Sequence, residues 1–235
     1  MSSNYKNSAK SVSLLILLAL GFAAVFALHS TGESIQRPDI PHIENPPTAR
    51  NFFGRLPLSF EPNQGQADSR VKFLARGHGY ALFLTNDGAV FTFSETKTAV
   101  HMRLQNAATS PQISGVDQLP GKVNYLLGNK SAGWRTGIPT YARVRYEQVY
   151  KGVDLVYYGN KRQLEYDFLV QPGASVKQIR LAFAGAGKRG LNRRGELILK
   201  SGKHKLTLLR PKAYQEINNK RREVSVRYSL KRGGE

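Results

Sequence analysis

Alternation of apolar and polar side chains with a period of two runs along the chain from Phe52 onward, and it limits the fold more than any other feature. Successive side chains of a β-strand point to opposite faces of a sheet, whereas a helix packed on one side repeats its apolar residues every three or four positions. No window after residue 30 shows such a helical stripe. The sequence therefore predicts an all-β fold. The close spacing of its strands is typical of an antiparallel sandwich or barrel, and we expect a β-sandwich-like domain, built as one unit or as two small packed β subdomains.

Turn residues between the alternating runs predict hairpins. Asn86-Asp87-Gly88 contains an Asp-Gly step, which is typical of a type I′ turn whose two central residues need positive φ. Tyr150-Lys151-Gly152 and Asn218-Asn219 occupy equivalent places between later runs. The predicted strands cover residues 80–84, 89–93, 143–149, 153–158, 163–170, 179–183, 196–200, 204–209, 213–217 and 223–230.

The first 53 residues differ in character from the rest. Lys6 and Lys10 precede an uncharged apolar run at residues 14–28, which predicts an apolar helix that is a signal peptide or an uncleaved signal anchor over residues 1–28. Four prolines then predict an extended spacer over residues 29–53, followed by the folded domain over residues 54–235. Either fate of the leader exports the domain, so we expect an extracellular, cell-surface or periplasmic protein.

Positive charge is concentrated near the C-terminus. The chain has a net charge of +19, and residues 188–235 hold 15 basic against 4 acidic residues. Such a field attracts anionic polymers or lipid head groups. The candidate contacts are the basic side chains of two turns: Arg193, Arg194, Lys220, Arg221 and Arg222. No nucleic-acid-binding module is recognisable, so we expect no nucleic-acid partner, and membrane contact only through an uncleaved leader or the basic patch.

Several classes of site lack their sequence signatures. The chain has no cysteine, which excludes disulfides, thiolate metal sites and a thiol nucleophile. None of its five histidines belongs to an HExxH motif or a close pair, and no phosphate-binding loop or nucleophile elbow is present. We therefore expect no catalytic residue, no metal and no cofactor.

Two groups of side chains are nevertheless candidates for ligand binding. In the strand over residues 163–170, Glu165 and Asp167 share one face about 7 Å apart, a separation that suits a glycosidase. Carboxylates two residues apart are, however, common on the solvent face of a strand, and we expect that arrangement here, with Arg143, Arg145 or Arg162 as partners. Trp134, Tyr141 and Tyr158 belong to an aromatic-rich stretch whose exposed rings could stack on sugars or peptides, whereas most rings there are expected in the core.

Longer motifs carry a family resemblance over about residues 54–230. They include LPLSFEPNQGQ from Leu56, WRTGIPTY from Trp134 and GVDLVYYG from Gly152. Together they resemble the N-terminal region of bacterial secreted proteins with β-propeller repeats of the SBBP type. The resemblance implies an exported or cell-surface domain of unknown function that precedes propeller repeats, with no catalytic residues to transfer. The chain departs from the pattern in its more basic turns and in ending at Glu235, where such repeats are expected to begin.

The sequence thus favours an exported, non-enzymatic structural or interaction domain of the cell surface, whose partner is an envelope polymer, a glycan or a protein. A carbohydrate-binding or carbohydrate-active protein is one alternative. A cationic module that docks on anionic envelope polymers or lipids is the other.

Overall fold

The computed structural model describes residues 13–22, 58–77, 79–93, 98–160, 163–217 and 220–231, with the backbone alone for residues 13–22. These residues form sixteen β-strands and two single-turn 3-10 helices, and no α-helix occurs among them. The all-β prediction is therefore confirmed. The strands are β1 (Ser13–Phe22), β2 (Phe60–Pro62), β3 (Val71–Gly77), β4 (Tyr80–Thr85), β5 (Gly88–Phe93), β6 (Ala99–Leu104), β7 (Gln112–Tyr125), β8 (Arg135–Tyr150), β9 (Val153–Asn160), β10 (Gln163–Val170), β11 (Leu181–Ala184), β12 (Lys188–Leu191), β13 (Leu197–Ser201), β14 (His204–Leu208), β15 (Lys212–Ile217) and β16 (Lys220–Val224). The 3-10 helices are Ser131–Gly133 and Val176–Gln178.

All sixteen strands belong to one antiparallel sheet that curls into a half-barrel. Its order is β11-β6-β5-β4-β3-β2-β8-β9-β10-β1-β14-β13-β12, while β7 pairs with β8, and β15 pairs with β1 and β16. The prediction of two packed sheets was wrong on this point. The concave face of a curled sheet covers its own apolar side chains, so no second sheet is needed to bury them.

Strand β8 is sixteen residues long, which lets it pair with three other strands. It pairs with β7 along one edge, while β9 and the short strand β2 share the other edge. A register shift between Tyr146 and Tyr150 marks a bulge near the end of β8, where Gln148 adopts a φ of 52°. Bulges increase local twist, and this one lies where β8 turns into β9.

The core is built on the concave face from alternate residues of the strands. Tyr146, Tyr157 and Tyr166 are fully buried on the neighbouring strands β8, β9 and β10, with ring centroids 5.6 and 5.7 Å apart along the series. Phe168 continues the row with an edge-to-face contact at 6.1 Å. The expectation that most aromatic rings of this stretch are buried is borne out for these four.

The hairpin predictions largely agree with the structure. Strands β4 and β5 flank the turn at Asn86-Asp87, strands β8 and β9 flank Lys151-Gly152, and β10 has the predicted bounds. Neither Asn86 nor Asp87 has positive φ, so the expected type I′ geometry was wrong; Gly88 supplies the unusual conformation, with a φ of 148°. Strands β15 and β16 form the last hairpin, but β16 ends at Val224 and residues 225–230 have no regular structure.

The apolar segment that was expected to form a helix is strand β1, so that expectation was wrong for residues 13–22. A short apolar run fits a helix or a buried strand equally well by periodicity alone. In the sheet, β10 on one side and β14 with β15 on the other pair with the backbone of β1. The remainder of the leader and the spacer lie outside the described residues.

The two ends of the strand order meet beside the loop that joins β11 to β12. The Ser201 hydroxyl donates to the Gly185 carbonyl at 2.9 Å, and the Gly187 N–H donates to the Lys200 carbonyl at 2.8 Å. On the concave side, the Phe93 and His204 rings stack with centroids 4.7 Å apart. These contacts hold the curl of the sheet.

Candidate functional site

The carboxylates of Glu165 and Asp167 lie on the face of β10 opposite the tyrosine row, yet both are buried. The Asn160 side-chain N–H donates to Glu165 Oε1 at 2.9 Å, and the Tyr158 hydroxyl donates to Asp167 Oδ2 at 3.2 Å. The expectation that they face solvent was wrong, and neither forms an ion pair with Arg143 or Arg145. Arg145 pairs instead with Asp154 at 2.6 Å, Arg143 pairs with Asp117 at 3.1 Å, and Arg162 lies outside the described residues.

Burial raises the pKa of Asp167 to about 7, mainly because the charged form loses its hydration, and the nearby Glu165 adds to the shift. The hydrogen bond from Tyr158 opposes the shift. Burial also raises the pKa of Tyr158, and the neighbouring carboxylates raise it further. A carboxyl group that titrates near neutrality can serve as a general acid, so the chemistry alone does not distinguish a catalytic pair from a structural one.

Burial bears on this choice, because Glu165 and Asp167 are only 5% and 8% exposed. Among the described residues, cavities of about 780 and 380 Å³ are lined by neither carboxylate and not by Tyr158. A glycosidase needs room between its carboxylates for a sugar ring or a water molecule. The pair therefore has the environment of a buried polar cluster.

The tip of the β7–β8 hairpin holds Leu126 and Leu127, the most exposed large apolar side chains of the described residues, at 58% and 69%. Trp134 lies in the same loop and is 39% exposed. Sequence reasoning found Trp134 but missed the two leucines, whose signal is an apolar pair in the loop between two long strands. Lys122 and Lys130 are also exposed there, which adds positive charge beside the apolar group.

Hydrogen bonds fix the shape of this tip. The Trp134 indole N–H donates to the Gly128 carbonyl at 3.1 Å, and the Trp134 backbone N–H donates to the Ser131 carbonyl at 2.9 Å. At the base, the Gly137 N–H donates to the side-chain oxygen of Asn124 at 2.7 Å. Leu126, Leu127 and Trp134 thus extend from an ordered loop, and these three residues are called the apolar tip below.

Tyr141 and Tyr158 are not exposed platforms. Tyr141 is half-buried, packs edge-to-face on Phe73 at 6.1 Å, and lies over Gly115, where an added Cβ would come within 2.5 Å of the ring. Tyr158 is half-buried beside the carboxylates. The predicted ligand-binding set is therefore divided: Trp134 lies at the apolar tip, and Tyr158, Glu165 and Asp167 form a buried cluster.

The predicted cationic residues are exposed but belong to different elements. Arg193 and Arg194 lie in the turn between β12 and β13, where the Asn192 side chain accepts the Arg194 N–H at 2.9 Å. Lys220, Arg221 and Arg222 lie on β16. Residues 188–235 hold 15 basic and 4 acidic residues, so this part of the chain presents a strongly cationic surface.

The larger cavity is an open cleft at one side of the curled sheet. Phe168, Phe183 and Leu197 contribute to its apolar wall, and Arg180 and Arg227 are among its cationic residues. The cleft lies beside β1, at the point where β1 pairs with β10 on one edge and with β15 on the other. Phe168 on β10 and Ala213 on β15 both line the cleft, and both pair with Ile16 of β1.

The described residues contain no group of three or more His, Asp or Glu side chains arranged to hold a metal ion. No helix among them has the length and apolar character needed to cross a membrane.

Comparison with known proteins gives one match. A family model described as a domain of unknown function, DUF7948, matches residues 60–235, which is most of the chain and nearly all of the described sheet. No curated protein and no solved structure matches the chain. Because the family model matches residues 60–235, the chain belongs to the DUF7948 family, a domain of unknown function.

Proposed function

We propose that this chain is an exported, non-enzymatic interaction domain that docks on an anionic membrane surface through the apolar tip. The observation that carries the proposal is the exposure of Leu126, Leu127 and Trp134 together at the end of one long hairpin. Contiguous exposed apolar groups mark binding surfaces. A bilayer interface accepts leucine side chains into its acyl region and favours tryptophan at its boundary with water, whereas a hydrated polysaccharide would bury little of either leucine.

The charge around the tip has the sign that this proposal needs. Between Gln118 and Tyr146 the sequence holds five basic residues and no acidic residue. Lys122 and Lys130 are exposed beside the apolar tip. A basic residue close to an anionic leaflet contributes on the order of 1 kcal/mol to binding. The net charge of the whole chain, +19, adds long-range attraction to the same surface.

The cellular setting is part of the proposal. The lysine-flanked apolar run at the N-terminus supports export, and the resemblance to the region before SBBP-type propeller repeats supports a place at the cell surface. A protein of this kind would hold the propeller repeats of a longer chain, or a partner, against the membrane. The burial of Glu165 and Asp167 supports a non-enzymatic role, because a substrate has little access to carboxylates that are 5% and 8% exposed.

Vesicle binding tests the proposal directly. The full chain is mixed with vesicles of phosphatidylcholine alone or with one third phosphatidylglycerol, and bound protein is separated by flotation. The test variant carries Leu126→Ser and Leu127→Ser, and the matched control carries Leu191→Ser, which removes an exposed leucine of β12. All three proteins keep the same leader, so leader insertion contributes equally to each.

We expect the tip variant to bind anionic vesicles at least tenfold more weakly than the wild type, since partial burial of two leucines is worth roughly 1.5–3 kcal/mol. The Leu191 control should bind like the wild type, and salt should weaken binding of both. Equal binding by the tip variant and the wild type would refute docking through this tip. Binding that ignores both salt and phosphatidylglycerol would refute the anionic surface.

A further inference from the structure

Strand β1 joins two parts of the sheet that have no other pairing in the described strand order. Residues Leu14–Leu20 pair antiparallel with β10. On its other edge, β1 pairs with β15 through Ser13–Leu17 and with β14 through Leu20–Phe22. The first part of the sheet contains β2 to β11, and the second contains β12 to β16. Removal of β1 would leave unpaired backbone groups on both sides of one gap, which we call the strand slot.

Natural edge strands are protected by lysine, proline, a bulge or inward-pointing charged residues that hinder the addition of another strand. The β10 side of the slot has no lysine, proline or bulge. Strand β10 has the sequence QLEYDFLV, pairs with β9 over its full length without a register shift, and is buried on both faces. Its only charged side chains, Glu165 and Asp167, are themselves buried. Such a strand has the character of an interior strand.

The cleft next to the slot favours an occupant with apolar side chains. Phe168 and Ala213 face each other across the slot through their shared pairing with Ile16, and both line the cleft of about 780 Å³. A strand added here would place every second side chain towards that apolar wall.

We propose that the strand slot is a strand-acceptor site. Residues 13–22 fill it in this chain, and after cleavage of the leader an extended apolar strand of a partner polypeptide adds antiparallel to β10 in their place. Backbone hydrogen bonds to β10 supply affinity, and the apolar cleft selects the side chains, as in other cases of β-strand addition. This inference goes beyond membrane docking, because it concerns a different part of the surface and needs no lipid.

The first test asks whether the slot holds β1 in the full chain. Because the protein has no cysteine, an engineered pair gives an unambiguous disulfide. Leu15→Cys with Leu169→Cys joins directly paired residues. The control is Leu15→Cys with Gln163→Cys, on the same face of β10 but six residues away, about 20 Å and far beyond disulfide reach. We expect mild oxidation to cross-link the first pair within one chain and to leave the control reduced. Absence of the first cross-link, or equal cross-linking of both pairs, would overturn the register on which the proposal rests.

The second test asks whether the slot exchanges strands. A protease site is placed in the spacer of the full chain, so that cutting leaves the leader attached only by its pairing. A labelled peptide of residues 12–23, with lysines added at both ends for solubility, is supplied in excess, and a Leu17→Pro peptide serves as control, since proline removes a backbone donor and is excluded from interior strands.

We expect the leader fragment to co-elute with the cut domain, the labelled peptide to replace it, and the proline peptide to bind at least tenfold more weakly. Cut protein from which the leader fragment has been removed should melt at a lower temperature, and the labelled peptide should restore the melting temperature of the uncut protein. Loss of the leader fragment without a fall in melting temperature, or equal uptake of both peptides, would refute a strand-acceptor site. Neither test involves vesicles or Trp134, so its failure would be distinct from failure of membrane docking.

Discussion

At the scale of single residues, Asp167 couples the fold to pH. Its pKa is about 7 in the folded protein against 3.8 for an ordinary aspartate, chiefly because of burial. Between these two values the folded state binds more protons than the unfolded state, so the free energy of unfolding falls as pH rises. Below about pH 4 both states are protonated, and above about pH 7 both are ionised, so the change is confined to that interval.

Replacement of Asp167 by asparagine should remove this dependence. Asparagine keeps the size and a hydrogen-bond acceptor for Tyr158 but carries no charge at any pH. We expect wild-type stability to drop by on the order of 2–3 kcal/mol from pH 4.5 to pH 7.5, and the Asp167→Asn variant to drop by much less. Urea denaturation at the two pH values measures the difference. Parallel pH profiles for the two proteins would contradict the assignment.

Gly88 is required by geometry at the turn between β4 and β5. Its φ is 148°, and an added Cβ would lie 2.1 Å from the Met102 carbonyl oxygen on the neighbouring strand β6. We expect Gly88→Ala to cost more than about 2 kcal/mol in unfolding free energy, because backbone atoms of β6 must move. Gly79→Ala is the control: φ is +80°, nothing lies within 4 Å, and the cost should stay near 1 kcal/mol. Equal losses in the two variants would show that the contact with β6 is unimportant.

At the scale of the element, the end of β8 depends on one buried carboxylate. Asp154 accepts hydrogen bonds from Arg145 Nη2 at 2.6 Å and from the Gln148 backbone N–H at 2.7 Å, and Gln148 is the bulge residue with positive φ. Since the carboxylate is only 5% exposed, its loss leaves the bulge N–H without its partner.

Asp154→Ala should therefore destabilise the protein by about 2–3 kcal/mol. The control is Asp117→Asn, which removes an ion pair with Arg143 that is more than half exposed on both sides and should contribute less than about 1 kcal/mol, while asparagine tolerates the φ of 57° at this position. Chemical denaturation of the two variants measures both. A larger loss for Asp117→Asn than for Asp154→Ala would contradict the structural role assigned to the bulge.

The elements that local patterns determine were predictable, and those that depend on distant partners were not. The turn at residues 86–87 and the bounds of β10 follow from turn chemistry and alternation within a few residues. Strand β1 was predicted as a helix because its choice between helix and strand depends on β10, β14 and β15, which lie far away in sequence. The burial of Glu165 and Asp167 was missed for the same reason.

Part of the candidate site was also predictable. Trp134 stood out as an aromatic residue in an aromatic-rich stretch, but exposure of Leu126 and Leu127 depends on how far the β7–β8 hairpin extends. Tyr141 looked like a ligand platform because sequence gives no sign that Gly115 makes room for its ring. The pairing of distant strands thus decides which of these side chains are exposed and which are buried.

At the scale of the whole molecule, one curled sheet separates two surfaces. The β7–β8 hairpin carries the apolar tip, and the strand slot lies beyond β10, on the far side of β8 and β9 in the strand order. Bound membrane and bound strand would therefore use different parts of the sheet. The cationic surface after residue 188 belongs to the second part, where it adds attraction to anionic partners without forming a built pocket of its own.

The depth of Trp134 in a membrane is the most direct test of the central claim. The chain has a single tryptophan, so its fluorescence reports on the apolar tip alone. We expect phosphatidylglycerol-containing vesicles to shift Trp134 emission to shorter wavelength, and lipids brominated high on the acyl chain to quench it by at least half. The Leu126→Ser, Leu127→Ser variant should show much less of both effects. Bound protein whose Trp134 emission stays unshifted and unquenched would contradict docking through the tip.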